Sequence, residues 1–490
     1  MKPRADRGLI VVACVALIVG FGLLGSRGIW DPDEGRYTNV ALNMLDSGDW
    51  IDPQRNDDVG HWTKPPLTYW AIAASVELFG RNPWAVRLPA VLAYLLSVAL
   101  TWRLARRLAP GAEPVAALVF STMLLPALAS QLITTDFVLT AFEGLALAAY
   151  VEARFGPTGP RLRWWLVMWA AFGFAFLTKG PPALLPLVAI LIFDWLAPSG
   201  SPDLVRRFGA AIAFLVVAVP WYAAVSIRNP GLLQYFLGAE VVGRVASDKF
   251  GRNGEWYGWA VVYVPTLLVG ALPWTATMLR WMRTMPAKAQ RWRTLSARLA
   301  DAEELLLTLW VLVPLVVFCI SRSRLPLYTL PLFVPLALLI ARQRQSEQRS
   351  FPPLRWVVVA VAGLMGLRIA MILWPTPQNA AEWAAEIQER STDPVTEVVF
   401  INDMARYGLK LHLGAEVERV SVASVTEAGF NPLFDDTLAD ELAEAEPGVV
   451  YVTQAKHWPA LERSIHTLGY QPVMLGEPYR NRIFFAITSH

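Results

Sequence analysis

Apolar runs long enough to cross a bilayer recur along almost four-fifths of this chain, and a soluble globule is not built that way. The first, Gly8 to Leu24, follows Lys2, Arg4 and Arg7; others lie at about 85–102, 114–131, 137–153, 164–178, 182–198, 208–226, 257–279, 304–320, 327–341 and 356–374. An apolar helix of roughly 20 residues matches the thickness of the hydrocarbon core. The runs therefore predict a polytopic α-helical membrane protein of about eleven spans, within a range of roughly 11 to 13. Composition agrees: 55% of the 490 residues are hydrophobic, 17% are charged, and mean hydropathy is +0.39. Net charge is only +3, and the basic residues sit in short clusters between apolar runs, so nucleic-acid binding has no support. Cys14 and Cys319 both lie inside apolar runs and read as buried thiols, not as a disulfide or metal ligands.

Basic flanks stay on the cytoplasmic side, which sets one topology. The first run reads as an uncleaved anchor with a cytoplasmic N-terminus, since no small-x-small cleavage site follows it. Alternation then places Arg103/Arg106/Arg107, Arg154/Arg161/Arg163, Arg206/Arg207, the Arg280 to Arg298 cluster and Arg342/Arg344/Arg349/Arg355 all inside. Pro66 to Phe79, about 14 residues and rich in aromatics, is expected to lie on the membrane as an interfacial helix. Crossing there would invert every later loop. Trp30, Trp84, Trp102, Trp256 and Tyr257 read as interfacial anchors, and the Arg280 to Arg298 cluster as a contact for anionic lipid.

The outer side receives residues 26–84, the neighbourhoods of Asp136 and Lys179, the loop 227–256, the turn 321–326 and everything after Trp374. From Pro375 the composition becomes mixed: a helix-like run Glu382 to Arg390, a strand-like run Val395 to Ile401, then Leu438 to Ala445 followed by Gly448 to Thr453. The expected organisation is a membrane domain over 1–374 and an external α/β domain over 375–490.

Charge gathers at the outer ends of the spans. Asp31-Pro32-Asp33-Glu34-Gly35-Arg36-Tyr37 follows the first run, Asp136 stands at the outer end of another, and Lys64 and Lys179 stand beside Pro and Gly. Part of this is explained by capping alone, since Pro followed by two acids is a good helix start with the acids at the positive end of the dipole. Repetition of the pattern points further, because ionisable groups at membrane depth are functional by default. Lys64, Lys179, Arg244 and Arg324 are suited to holding a phosphate through charge-assisted hydrogen bonds. Asp33 is suited either to general-base work on an acceptor hydroxyl or to positioning an acceptor phosphate that needs no deprotonation. Glycine-containing and charged, the loop 227–256 is a candidate for ordering over a bound donor.

Four pieces in the first external stretch carry a family resemblance: Asp33-Glu34-Gly35-Arg36-Tyr37, Ser47-Gly48-Asp49-Trp50, Lys64-Pro65-Pro66-Leu67-x-Tyr69-Trp70 and Phe79-Gly80-x-Asn82-x-Trp84-Ala85-x-Arg87. Thr135-Asp136, Leu177-Thr178-Lys179-Gly180, Glu240-x-x-x-Arg244 and Arg324-Leu325-Pro326-x-Tyr328-x-Leu330-Pro331 follow in order. Together they resemble the GT-C glycosyltransferases, in the branch of the aminoarabinose-lipid A transferases and protein mannosyltransferases. The resemblance implies an inverting transfer of sugar from a polyprenyl (undecaprenyl) phosphate carrier to a lipid or other envelope acceptor, at the periplasmic face of a bacterial inner membrane. It implies Asp33 as the catalytic carboxylate, with Asp136 and Tyr37 supporting it, Lys64 and Arg244 meeting the donor phosphate, and Tyr328 lining the sugar pocket. Glu34, Arg36, Tyr69, Lys179, Glu240 and Arg324 complete the expected substrate-binding set.

Two departures bear on substrate and metal. Thr63 stands where that branch commonly carries Glu, and Val241 where it commonly carries His. No cofactor is implied with certainty; a divalent metal is admitted by the Asp31-x-Asp33 spacing but not favoured, and His61, His412, His457 and His466 show no ligand spacing. A lipid transporter is the alternative, but its key charges belong near the midplane of broken helices, often in two similar halves, and no internal repeat is present here. Neither the sugar nor the acceptor is legible in the motifs.

Overall fold

The structure, a computed structural model, describes residues 2–57, 59–156, 161–198, 204–238, 252–349, 351–423, 429–444 and 446–488. Two compact units emerge: residues 1–23 with 89–371, and residues 24–88 with 372–490. Residues 24–88 therefore pack with residues 372–490.

The first unit is helical throughout, and its helices follow the apolar runs closely: Lys2–Phe21, Leu88–Leu108, Asp136–Phe155, Leu162–Lys179, Ile212–Arg228, Ala302–Ile320 and Leu354–Leu373 among them. Among the described residues, five helical stretches are long and apolar enough to cross a membrane, or six if one bent pair counts as a span; four shorter apolar helices accompany them. The expected membrane architecture thus stands, while the count of eleven crossings is not confirmed. Apolar side chains also cover the outside of this unit. Ile320 is 70% exposed, and the faces bearing Val358, Val359 and Ile369 or Val216 and Val219 are open, as lipid-facing helices require.

Two apolar runs are not single helices. The run at 257–279 divides into Gly258–Gly270 and Thr275–Arg291, which meet at 118°. Pro273 has no N–H to continue the ladder, and the carbonyl of Leu272 accepts instead from the Leu124 amide at 3.0 Å. That contact falls where the run at 114–131 is itself interrupted, for Met123 is extended (ψ 136°) between Glu113–Thr122 and Leu124–Ala129. Trp274 Nε1 donates to Thr122 Oγ1 at 2.9 Å across the same two breaks. Proline and glycine punctuation was visible in the sequence; its pairing across 150 residues was not.

Arg368 is buried within the helix Leu354–Leu373 at 5% exposure. Its guanidinium donates to the carbonyls of Val19, Gly22 and Ala127 and to Ser130 Oγ, the last at 2.7 Å. Gln131 Nε2 donates to the Gly20 and Gly22 carbonyls at 2.9 and 2.8 Å. These carbonyls belong to helix ends, which have no partner within their own helix, so a buried cation closes the terminus of the first helix.

The second unit is built on a six-stranded sheet: β1 (Glu397–Ile401), β2 (Glu416–Ser421), β3 (Asp436–Thr437), β4 (Val449–Gln454), β5 (Gln471–Met474) and β6 (Arg482–Thr488), in the order β3-β2-β1-β4-β6-β5. The pairings β3-β2, β2-β1 and β1-β4 are parallel, and β4-β6 and β6-β5 antiparallel. Alternate residues of β1 feed two cores. Val398 and Phe400 pack with Val417, Val452, Phe484 and the helix Ala380–Arg390; Val399 and Ile401 pack with Val420, Phe485 and the helices Leu438–Glu444 and Trp458–Thr467. A central strand buried on both faces reads as the continuous apolar run seen in the sequence. The expected C-terminal α/β fold is present, with the helix and strand starts within about two residues of their expected positions.

Candidate active site

Asp33 opens the helix Asp33–Ser47, with Glu34 also in its first turn, so both acids sit at the positive end of the helix. The two then diverge. Asp33 is exposed and pairs with Arg36 one turn on. Glu34 turns inward, where Arg27 donates to both its oxygens at 2.6 and 2.8 Å and Arg87 donates to Oε2 at 3.0 Å. Arg87 also holds the carbonyls of Arg27 and Gly28 at 2.9 and 2.8 Å. Burial opposes charge on Glu34, yet Arg87 and Arg27 outweigh it and hold the carboxyl down at about 2. Glu34 is thus spent on fixing the helix entry, leaving Asp33 and Arg36 at the surface.

Asp31 anchors the same entry from the other side. Its amide donates to the Gln378 carbonyl at 2.9 Å, and its Oδ1 accepts the Gly408 amide at 3.0 Å. Burial pushes its carboxyl up to about 7 against the Gly408 hydrogen bond and Arg406. The need for glycine here is steric: a Cβ on Gly35 would collide with the Asp31 carboxylate and come within 2.6 Å of the Gly408 nitrogen, and one on Gly408 would meet Ala380 at 2.7 Å. Ala380 donates to the Ile29 carbonyl at 2.8 Å, and the Ile29 amide reaches His412 Nε2 at 3.4 Å. An acceptor imidazole must be neutral, and burial together with Arg87 lowers His412 to about 4.

The remaining loop residues gather around one histidine. Tyr37 and Tyr69 face each other with ring centroids 5.6 Å apart, and His61 lies edge-on to Tyr69 at 6.1 Å. Thr63 Oγ1 and His61 Nε2 are 2.7 Å apart, and Lys64 Nζ donates to the Thr63 carbonyl at 2.7 Å. His61 is held well below its usual value by burial and then by the cations Arg36, Arg55 and Lys64. Three cations around a neutral imidazole make a positive niche, the electrostatic opposite of what Asp33 alone suggests. Sequence reasoning passed over His61 and Arg55 because neither has ligand spacing nor stands at a helix end; their proximity comes from the hairpin in which Arg55 and Val59 pair and Gln54 bridges Gly60.

The other candidates belong to the first unit. Asp136 begins the helix Asp136–Phe155 and Lys179 ends the helix Leu162–Lys179, each placed to suit its helix dipole. The two form an ion pair, and the Lys179 ammonium lies 4.6 Å above the Tyr328 ring. Glu143, two helical turns along from Asp136, is buried at 3% exposure and was not singled out in the sequence because it lies inside an apolar run. Arg324 is buried and its guanidinium donates to the carbonyls of Asn253, Glu255 and Cys319 at 2.6, 2.7 and 3.0 Å. Those bonds make it a clamp on the segment 252–255. Glu240, Arg244 and Val241 lie outside the described residues, as does much of the loop 227–256. The structure brings Asp33, Arg36, Tyr37, Lys64 and Tyr69 together in one unit, and Asp136, Lys179 and Tyr328 together in the other.

Comparison with known proteins bears out the resemblance read from the motifs. Residues 63–225 match the family described as dolichyl-phosphate-mannose-protein mannosyltransferase. An undecaprenyl phosphate-alpha-4-amino-4-deoxy-L-arabinose arabinosyl transferase of Pseudomonas aeruginosa is 34% identical over 373 residues, covering 73% of this chain and 64% of that protein. One of the same name from Edwardsiella ictaluri is 32% identical, covering 72% and 63%. The chain thus spans somewhat less than two thirds of the length of the curated relatives it matches. Among solved structures, ArnT from Cupriavidus metallidurans bound to undecaprenyl phosphate superposes with a TM-score of 0.75 at 22% identity, over 97% of both chains. The archaeal oligosaccharyltransferase AglB from Archaeoglobus fulgidus gives 0.51 at 12% identity over 94% of this chain and 70% of that one. The fold is the GT-C fold.

Proposed function

We propose that this GT-C membrane protein is an inverting glycosyltransferase that moves a sugar from undecaprenyl phosphate, or a similar polyprenyl phosphate, to an acceptor in the cell envelope. The observation that carries the reading is the external helix entry, where Asp33 and Arg36 are left at the surface beside a niche formed by Arg36, Lys64, Tyr37, Tyr69 and neutral His61. The curated relatives are named for transfer of 4-amino-4-deoxy-L-arabinose from undecaprenyl phosphate, and the similar solved structure holds that lipid phosphate. Aminoarabinose or a related sugar is the donor group in this reading, and lipid A the acceptor class.

Transfer breaks the bond between the sugar's anomeric carbon and the carrier phosphate oxygen and forms one from that carbon to an acceptor oxygen on the opposite face. Negative charge collects on the departing phosphate. Cations stabilise that charge, the part assigned to Lys64, Lys179, Arg244 and Arg36. Asp33, exposed at its helix start, receives the acceptor proton when the acceptor is a hydroxyl; an acceptor phosphate, already ionised, needs no deprotonation and Asp33 then serves to position it. Asp136 holds Lys179 and Tyr328 faces its ammonium, so the three act as one charged support, while Arg324 clamps the carbonyls of Asn253 and Glu255; Glu240 is assigned to substrate binding. Thr63, standing where the resembling branch commonly carries Glu, hydrogen-bonds His61.

The setting follows from the same reading: a multi-pass protein of the bacterial inner membrane with a cytoplasmic N-terminus, the transferase domain over 1–374, and both the active site and the α/β domain over 375–490 in the periplasm. Mass spectrometry of lipid A and other envelope glycolipids from a deletion strain, complemented with wild type or Asp33→Asn at equal membrane abundance, tests it. One glycosylated species should disappear in the deletion and return with wild type only. Full return with Asp33→Asn would remove Asp33 from the reaction.

A further inference from the structure

Three carboxylates converge on one face of the C-terminal sheet where nothing in sugar transfer calls for them. Glu397 opens β1 on the same face as Val399 and Ile401, and Glu418 lies on β2 on the same face as Val420. Both point toward the core closed by the helix Leu438–Glu444, which delivers Glu441. One oxygen from each of the three lies within 4.8 Å of the others.

Apolar residues at these positions would simply extend the core; carboxylates must be neutralised there. Among the described residues none of the three makes an ion pair. Besides burial, the groups acting on Glu397 are Glu441, Glu416, Glu446 and Glu444, and those acting on Glu418 are Glu397, Glu441, Asp435 and Glu416. Asn56 Nδ2 donates to Glu418 Oε1 at 2.6 Å and the Tyr451 hydroxyl to Glu441 Oε1 at 3.3 Å. Glu397 receives nothing: among the described residues its side chain, over nine-tenths buried and aimed into the gap, has neither a hydrogen bond nor an ion pair. Burial and this crowding push Glu397 up to about 8 and Glu418 up to about 9.

We propose that Glu397, Glu418 and Glu441 hold a hard divalent cation of the calcium class. An all-oxygen donor set of carboxylates, with second oxygens and water free to complete the shell, suits calcium better than the softer transition metals. The site touches the first external stretch as well. Asn56 reaches Glu418, and the Asp57 amide donates to Glu416, one residue-pair away on the same face of β2, at 2.9 Å. Cation loading therefore secures the 54–60 hairpin to the sheet, and that hairpin leads into His61 and Lys64.

The test uses the full chain purified in detergent, stripped with EDTA and titrated with calcium chloride, read by thermal unfolding and calorimetry. Wild type should bind calcium and unfold at a higher temperature, and hydrogen exchange should slow across residues 54–60. Glu418→Gln should lose the calcium response. The triple variant Glu397→Gln/Glu418→Gln/Glu441→Gln should lose it too, yet be at least as stable as wild type in EDTA, since the repulsion is gone. That second result separates a lost site from a lost fold. Calcium that neither binds nor shifts wild type, or a response that survives in the triple variant, would overturn the proposal, and neither outcome bears on the Asp33 test above.

Discussion

Arg87, itself 1% exposed, donates to Glu34 Oε2 at 3.0 Å from 53 residues away, and so ties the end of the first external stretch to the helix that begins it. Both ends of the motif-bearing segment are fixed by one ion pair. Removing Glu34 strands two cations, the buried Arg87 and the largely buried Arg27, which costs about 3–5 kcal/mol. Glu34→Leu is expected to lower the unfolding temperature sharply, while Glu34→Leu with Arg27→Met and Arg87→Met recovers much of the loss. Thermal unfolding of the two variants against wild type checks this, and equal loss in both would show that the pair is not the cause.

Gly35 is predicted to tolerate no side chain. Gly35→Ala presses on the Asp31 carboxylate and the Gly408 amide, an overpacking cost of about 1–3 kcal/mol or more. Gly48→Ala is the control: Gly48 has φ +71° with nothing within 4 Å of a Cβ, so it should cost only the about 1–2 kcal/mol of a left-handed conformation. Limited proteolysis of the 24–88 stretch should accelerate for Gly35→Ala far more than for Gly48→Ala.

Asp31 sets a pH dependence with a definite sign. Its folded carboxyl titrates at about 7 against 3.8 in the unfolded chain, mainly through burial. Between those values the folded state keeps a proton that the unfolded state has lost, so this group's contribution to stability falls as pH rises from about 4 to about 7 and is flat above. Asp31→Asn keeps the oxygen that accepts the Gly408 amide and removes the titration. The difference in unfolding temperature between the variant and wild type is expected to grow in the variant's favour from about pH 4 to about pH 7; a constant difference would contradict the assignment.

Lys179 is placed by two partners of different kinds, the Asp136 carboxylate and the Tyr328 ring. Lys179→Gln is expected to reduce sugar transfer by ~10²-fold, the scale of losing one preorganised charge partner. Tyr328→Phe keeps a ring face for the ammonium and should retain most activity, whereas Tyr328→Leu should not. Transfer assays on the three, with lipid products resolved by mass, distinguish the ring from the hydroxyl as the working part.

Local signals carried much of this in the sequence. Apolar runs marked the helices because lipid imposes a length and forbids loose backbone; Pro32 with Asp33 and Glu34 marked a helix start; β1 showed as an apolar run because both its faces are covered. What stayed hidden depends on partners far away in the chain. Glu34 looked like a substrate ligand, yet its oxygens are taken by Arg27 and Arg87; Arg324 looked like a phosphate cation, yet three backbone carbonyls occupy it. The 118° bend after Gly270 was signalled by Pro273 but lay inside an uninterrupted apolar run.

The joining of residues 24–88 to 372–490 has a consequence in time as well as space. A ribosome makes the stretch bearing Asp33 and Lys64 before the sheet that receives it. Asp31 finds the Gly408 amide, and Arg55 finds Asp435, only after the helical segment between them, residues 89–371, has been made. The fold of residues 24–88 is therefore completed by strands that emerge after residue 372.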